Sequence, residues 1–224
     1  MKIENLQKGL AEELTSGTKD VAIDITEVGL DSLFNEGVAK EIPVIKSIVA
    51  VCKTGLNIKE RFFTKKLIKF ICEFKNESID TIKYNEFKYK MRDPKFQDKV
   101  TERIIIILDR LEELNRTNII SKLIKGFVES KISWDEFSMF SKYVDFLTND
   151  DIKLLNFLNT NLVNGYCINT SEHKELEGNA NKLLQFNFVE MKIVHGMVFG
   201  VTPSTIIHKL TALGVKFIDC INDN

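Results

Sequence analysis

The run EIPVIKSIVAVCKTGLNIKERFF, residues 41–63, is the most apolar stretch of the chain, and a block of lysines follows it directly. A helix that crosses a bilayer needs about 20 apolar residues. Ile42 to Leu56 supplies 15, interrupted by Lys46 and Lys53, so the segment does not span as a single helix. Pro43 suits the first turn of a helix. Val44, Ile45, Ile48, Val49 and Cys52 then gather on one side, leaving Lys46 and Lys53 in a narrow polar stripe. A helix apolar over most of its circumference belongs inside a bundle. Gly55 and Asn57 allow a turn, after which KERFFTKKLIKFICEF reads as a second helix. Its Phe63, Leu67, Phe70, Ile71 and Phe74 fall on one face and its bases on the other.

The same spacing runs through most of the chain. Leu6, Leu10 and Leu14, then Val21, Ile25, Val28 and Leu33, mark two amphipathic helices broken at Ser16-Gly17. Residues 76–93 are polar with scattered aromatics and read as a short irregular or helical connector. Asp93 before Pro94 is a helix start. From there Val100, Ile104, Ile107, Leu108, Leu111 and Leu114 predict one long helix through VTERIIIILDRLEELN. Asn118–Val128 predicts the next, and Ser133 caps another, SWDEFSMFSKYVDFL, with Asp135 and Glu136 in its first turn. Trp134 reads as a packing anchor beside that start. After Thr148 come a helix DIKLLNFL, a polar loop from Asn164 to Thr170, and a helix from Ser171 to about Phe186. In FVEMKIVHGMVFGVTPSTIIHKLTALGVKFIDCI, β-branched residues and glycines displace the helical period, which predicts strand, turn, strand and terminal helix. The expected fold is mainly α, a helical bundle over residues 1–147 followed by a small module with a β-hairpin over residues 148–224.

With 44% hydrophobic and 28% charged residues, the 224-residue chain lies in the ordinary globular range. A net charge of −1 exerts no overall pull on nucleic acid or anionic lipid, but the charge is unevenly spread. Residues 1–39 hold eight acids against three lysines, and residues 40–75 hold nine bases against Glu41, Glu60 and Glu73. The acidic first helix is therefore expected to lie near the basic one and neutralise it. Cys52, Cys72, Cys167 and Cys220 form no C-x-x-C pair, which reads as free thiols in a reducing cytosol. The N-terminus, MKIENLQKGLAEEL, lacks the apolar core of a secretory signal.

From about residue 148 the order helix, helix, hairpin and HKLTALGVKFIDCI resembles the end of a winged-helix domain. There the returning wing strand runs into L-T-x-x-G and a closing helix, and Leu210, Thr211 and Gly214 carry the match. The resemblance implies a winged-helix-like module with contacts at Lys174, Lys182, His195 and His208. A recognition helix normally offers Arg, Lys, Asn or Gln to phosphates and base edges. SEHKELEGNANKLLQF instead sets Glu172, Glu175 and Glu177 beside its two lysines, so protein contact is favoured over DNA readout. DSLFNEGVAKEIPVIKSI followed by KTGLNIKERFFTKKLIKFI resembles uncharacterised bacterial helical proteins of mobile-element or defence type, which implies a small accessory protein.

No G-x-x-x-x-G-K-S/T, G-x-G-x-x-G, G-x-S-x-G or H-E-x-x-H occurs. His195 and His208 could face each other across the hairpin but read as part of a solvated wing, and Cys167 with His173 has no activating context. Around Trp134 a calcium loop ending at Glu136 would need Lys125 and Phe127 as ligands, which neither can be. Glu112 and Glu113 read as the exposed side of a helix. The chain is therefore expected to be a non-catalytic, cytoplasmic interaction or regulatory protein without cofactor or metal, taking a protein partner or itself. In the runner-up reading it is a membrane-perturbing effector whose basic amphipathic hairpin, residues 42–75, is released from the bundle onto an anionic bilayer, the chain lying peripheral to the inner face of the membrane. Lys59, Arg61, Lys65, Lys66 and Lys69 would sit at the headgroups, and Phe62, Phe63, Leu67 and Phe70 would insert. DNA binding is the third reading.

Overall fold

The computed structural model describes residues 3–17, 57–160, 168–169, 174–195 and 204–222. The helices expected from Val21 and from Pro43, together with Cys52, Cys167 and His173, lie outside the described residues. The protein is mainly helical, with a small antiparallel hairpin near the C-terminus. Residues up to Asp145 form one compact unit and Phe146–Asp223 a second.

In the first unit the order is α1 (Ile3–Thr15), α2 (Ile58–Asn76), α3 (Thr81–Lys90), α4 (Pro94–Arg110), a 3-10 turn (Leu114–Arg116), α5 (Thr117–Val128) and α6 (Trp134–Tyr143). The helix starts have local causes. At α2, Asn57 Oδ1 accepts from the Glu60 N–H at 2.9 Å while Glu60 Oε2 accepts from the Asn57 N–H at 3.0 Å. Ser133 and Glu136 repeat this reciprocal cap at α6, satisfying amides that the first turn leaves free. Asp80 and Asp93 cap α3 and α4, and Pro94 takes the first turn of α4. The connector expected at 76–93 is thus mostly a helix.

α2 packs on α1, α4 and α5. Leu67, Phe70, Ile71 and Phe74 are buried along it, with Phe70 and Phe74 stacked at 6.2 Å. Each such side chain contributes about 1.5–3 kcal/mol over leaving it exposed. A second aromatic cluster centres on Phe127, with Trp134 at 5.2 Å and Phe87 at 6.4 Å, and Trp134 in turn lies 5.3 Å from Phe137. Trp134 anchors the start of α6 as the sequence predicts.

One boundary differs from expectation. α4 stops at Arg110 instead of continuing to Asn115, and Leu111 turns to φ −54°, ψ 128°. The Lys66 ammonium of α2 donates to the carbonyls of Asp109 and Leu111 at 3.0 and 2.7 Å. A cation there satisfies orphaned acceptors and suits the negative end of the helix dipole. Glu112 and Glu113 consequently lie in an exposed turn, not on a helix.

The second unit runs α7 (Asn149–Thr160), β1 (Ile168–Asn169), α8 (Lys174–Gln185), β2 (Val189–His195), β3 (Ser204–Leu210) and α9 (Ala212–Asn222). It begins two residues before the expected Leu147/Thr148 boundary, and its first residue, Phe146, has its ring 6.4 Å from that of Phe186. The sheet is antiparallel with strand order β1-β3-β2, and β1 falls in the segment expected to be loop. Asp151, fully buried, joins α7 to α8. Its carboxylate accepts from the Thr148 N–H at 2.6 Å, from Lys182 Nζ at 2.5 Å and from Asn179 Nδ2 at 2.7 Å. α8 ends in a reverse turn with Asn187 at φ 57°, the Phe188 N–H reaching back to the Leu183 carbonyl at 2.9 Å.

The Leu210-Thr211-Gly214 pattern has a physical cause. Leu210 is buried, and the Thr211 hydroxyl accepts from the Gly214 N–H at 3.0 Å to start α9. Thr211 also donates its N–H to the Phe188 carbonyl at 3.0 Å. That contact brings the first turn of α9 so close that a Cβ on Gly214 would lie 2.1 Å from the Phe188 oxygen. Phe188 and Phe217 then stack at 4.6 Å beneath it.

Candidate functional site

The basic surface expected on α2 is largely absorbed by the fold. Lys66 is buried against the end of α4, and Lys69 is tied to Glu73 at 2.8 Å. Lys75, also buried, pairs with Glu13 of α1, so one base of α2 is neutralised by one acid of the first helix. Lys59 and Arg61 are exposed on the first turns of α2 and Lys65 is half-buried. The expected lipid-facing residues are likewise corrected: Phe63, Leu67 and Phe70 are buried, and only Phe62 remains 38% exposed, with the Lys66 ammonium 4.9 Å from its ring. The reason is the central place of α2, since the face that could enter a bilayer already meets α1, α4 and α5. Among the described residues no helix is long and apolar enough to cross a membrane.

In the second unit Lys182 does not project freely, because Asp151 holds it. Lys174 opens α8 and His195 closes β2. The hairpin register pairs His195 with Ser204 and His208 with Met191, so the two histidines do not face each other. Nor is His208 solvated. It is 1% exposed on the central strand, between Ile168 of β1 and Met191 of β2, and neither ring nitrogen has a hydrogen-bond partner. Burial pushes its pKa below the usual 6.5, against the attraction of Glu177, so the ring is neutral at physiological pH.

What this unit does present is an edge. β2 pairs with β3 on one side, and among the described residues no strand pairs with its other side. Val189 is buried, yet Met191 and Ile193, which follow it on the same face, are 44% and 52% exposed. Glu190 and Lys192 alternate with them and form an ion pair at 3.4 Å. Sequence reasoning placed this strand but missed its exposed apolar residues, because alternation alone does not say how far along a strand its inner face is covered.

Burial and hydrogen bonding shift several titratable groups. Burial pushes the Cys72 thiol up to about 11, with Glu73 adding to the effect. Glu73 itself is raised by burial, against hydrogen bonds from Lys69 and Thr117. Burial also disfavours the Asp151 carboxylate, but hydrogen bonds from Lys182, Thr148 and Asn179 outweigh it and hold the pKa below the usual carboxylate value. Among the described residues no group of three His, Cys, Asp or Glu side chains could hold a metal ion. Compared with known proteins, the chain matches no family model, no curated protein and no solved structure.

Proposed function

We propose that this chain is a non-catalytic interaction protein whose C-terminal unit is a winged-helix-like module that takes a partner protein by strand addition to β2. The carrying observation is that, among the described residues, no strand pairs with the outer edge of β2, beside which Met191 and Ile193 are exposed, a combination that folded proteins ordinarily blunt or cover. An added strand would form main-chain hydrogen bonds along that edge and bury both side chains. The strand order β1-β3-β2 with α8 ahead of the hairpin supports the winged-helix resemblance. Protein contact is favoured over DNA readout by the acidic residues Glu175 and Glu177 of α8 and by the engagement of Lys182 with Asp151. On the resemblance carried by residues 31–48 and 53–71, the partner is encoded in the same bacterial mobile-element or defence locus, to which this chain is an accessory.

The test is a crosslinked pulldown with the products of neighbouring genes as prey. Wild-type chain is expected to retain one of them, and Met191→Asp/Ile193→Asp to lose it with an unchanged circular dichroism spectrum. Retention by the double variant overturns the reading, as does duplex DNA binding that Lys174→Glu abolishes.

A further inference from the structure

While Lys66, Lys69 and Lys75 of α2 are spent on partners within the fold, α4 displays cations of its own. Lys95, Lys99 and Arg103 follow at four-residue steps, and Lys142 of α6 faces them across a groove of about 650 Å³ that Trp134 and Ser138 also line. Among the described residues none of these four cations forms an ion pair, although Asp98 and Glu102 share the groove. Arg103 is fixed by a hydrogen bond from Nη2 to the Ser138 carbonyl at 2.9 Å, and its buried Nε has no partner. The Lys99 ammonium lies 5.1 Å from the Trp134 ring. At the N-terminal end of α4 a second groove, of about 530 Å³, holds Tyr89, Lys90 and Arg92. Tyr89 is 72% exposed, with the Arg92 guanidinium 5.7 Å from its ring.

We propose that this surface binds single-stranded nucleic acid, with phosphates on Lys95, Lys99, Arg103 and Lys142 and bases against Tyr89 and Trp134. At 1.5 Å per residue, four-residue steps set successive cations about 6 Å apart along α4, the scale of one nucleotide in an extended strand. Exposed Tyr89 and half-buried Trp134 beside the cations select nucleic acid over an acidic peptide, since every base offers a stacking face. They also select single strands over duplex, whose bases are already stacked. Asp98 and Glu102 weaken the local field, so binding is modest and strongly salt-dependent.

The test titrates the 224-residue chain against a labelled oligothymidylate of about 15 nucleotides. The expected result is binding at low salt, with a slope of log affinity on log salt of about −3 for four neutralised phosphates. Binding should quench the fluorescence of Trp134, the chain's single tryptophan. Lys95→Glu/Lys99→Glu/Lys142→Glu should abolish it and Tyr89→Ala weaken it about tenfold, while Lys59→Glu/Arg61→Glu leaves it unchanged. Absence of binding at low salt, an unaffected triple variant, or equal competition by duplex DNA or polyglutamate overturns the proposal. Met191→Asp/Ile193→Asp should keep nucleic-acid binding, so this inference and the β2 contact fail separately.

Discussion

In α2 the ammonium groups of Lys66, Lys69 and Lys75 end on the Asp109 and Leu111 carbonyls at the end of α4, on Glu73 and on Glu13. In α4 Lys95, Lys99 and Arg103 end on no carboxylate at all among the described residues. Both helices carry an apolar stripe and several cations, and the difference lies in enclosure. Ten residues of α2 are buried against five of α4, so Lys66 and Lys75 meet protein on nearly every side, while Lys95 and Lys99 meet water. A buried ammonium must find acceptors or lose its charge, and once it has them it holds the bundle together. An exposed one is left for a partner.

The contrast breaks hardest at Lys75. Replacing it with Met leaves the Glu13 carboxylate, 1% exposed, without its counter-ion, at an expected cost of about 3–5 kcal/mol. Glu13→Met/Lys75→Met should recover to near wild type, since a buried pair gains little over an apolar one of similar size. Urea unfolding followed by Trp134 fluorescence reads both variants in the first unit. A single variant as stable as wild type would show that α1 does not depend on this pair.

Lys66→Met should cost less, about 1–3 kcal/mol, because it orphans two carbonyls but no charge. Burial pushes the Lys66 pKa below the ordinary lysine value, with Asp109 and Asp145 opposing, so the ammonium sits where charge is costly unless those acceptors remain. The same unfolding curves check the size. Faster amide exchange at Ile107–Leu111 than in wild type would locate the damage at the end of α4, and unchanged exchange there would remove Lys66 as the cause of that boundary.

Lys66 also marks what the sequence could convey. Helix starts were legible because Asp93-Pro94 and Ser133 with Glu136 act over three residues or fewer. Leu210-Thr211-Gly214 was legible only through its resemblance to a winged-helix ending, since the carbonyl that Gly214 approaches belongs to Phe188, far back in the chain. The end of α4 was not, since its apolar period runs on to Leu114 and the lysine that caps it lies 45 residues from Leu111 in sequence. Nor was the choice between α2 and α4 as the cationic surface, because charge per residue says nothing about enclosure. β1, two residues long, is too short to carry any period. The solvated wing assigned to His208 failed because its strand is flanked on both sides, a fact of tertiary pairing.

His208 sharpens the contrast in the second unit, where a potential cation is enclosed without acceptors. Its folded pKa lies below the unfolded value of about 6.5, so the unfolded chain binds the extra proton in the interval between them. Stability is therefore full above about pH 6.5 and is lost as pH falls from there through the folded pKa. Proton NMR should show a histidine titrating below the usual value of about 6.5. Unfolding midpoints of wild type should drop more between about pH 7.5 and pH 5.5 than those of His208→Leu. An equal drop would mean that the ring finds a proton acceptor on titration.

The smallest effect belongs to the displayed cations. Lys95→Gln/Lys99→Gln removes two exposed charges from the side of α4 that neither α1 nor α2 covers, so the unfolding free energy should move by no more than about 0.5 kcal/mol per site. Relief of repulsion between like charges four residues apart sets the sign, a slight gain at low salt that fades as screening rises. A loss of several kcal/mol would place these lysines with Lys66 and Lys75 as part of the bundle. A small change in stability together with lost oligothymidylate binding would separate the two uses of a lysine within one unit.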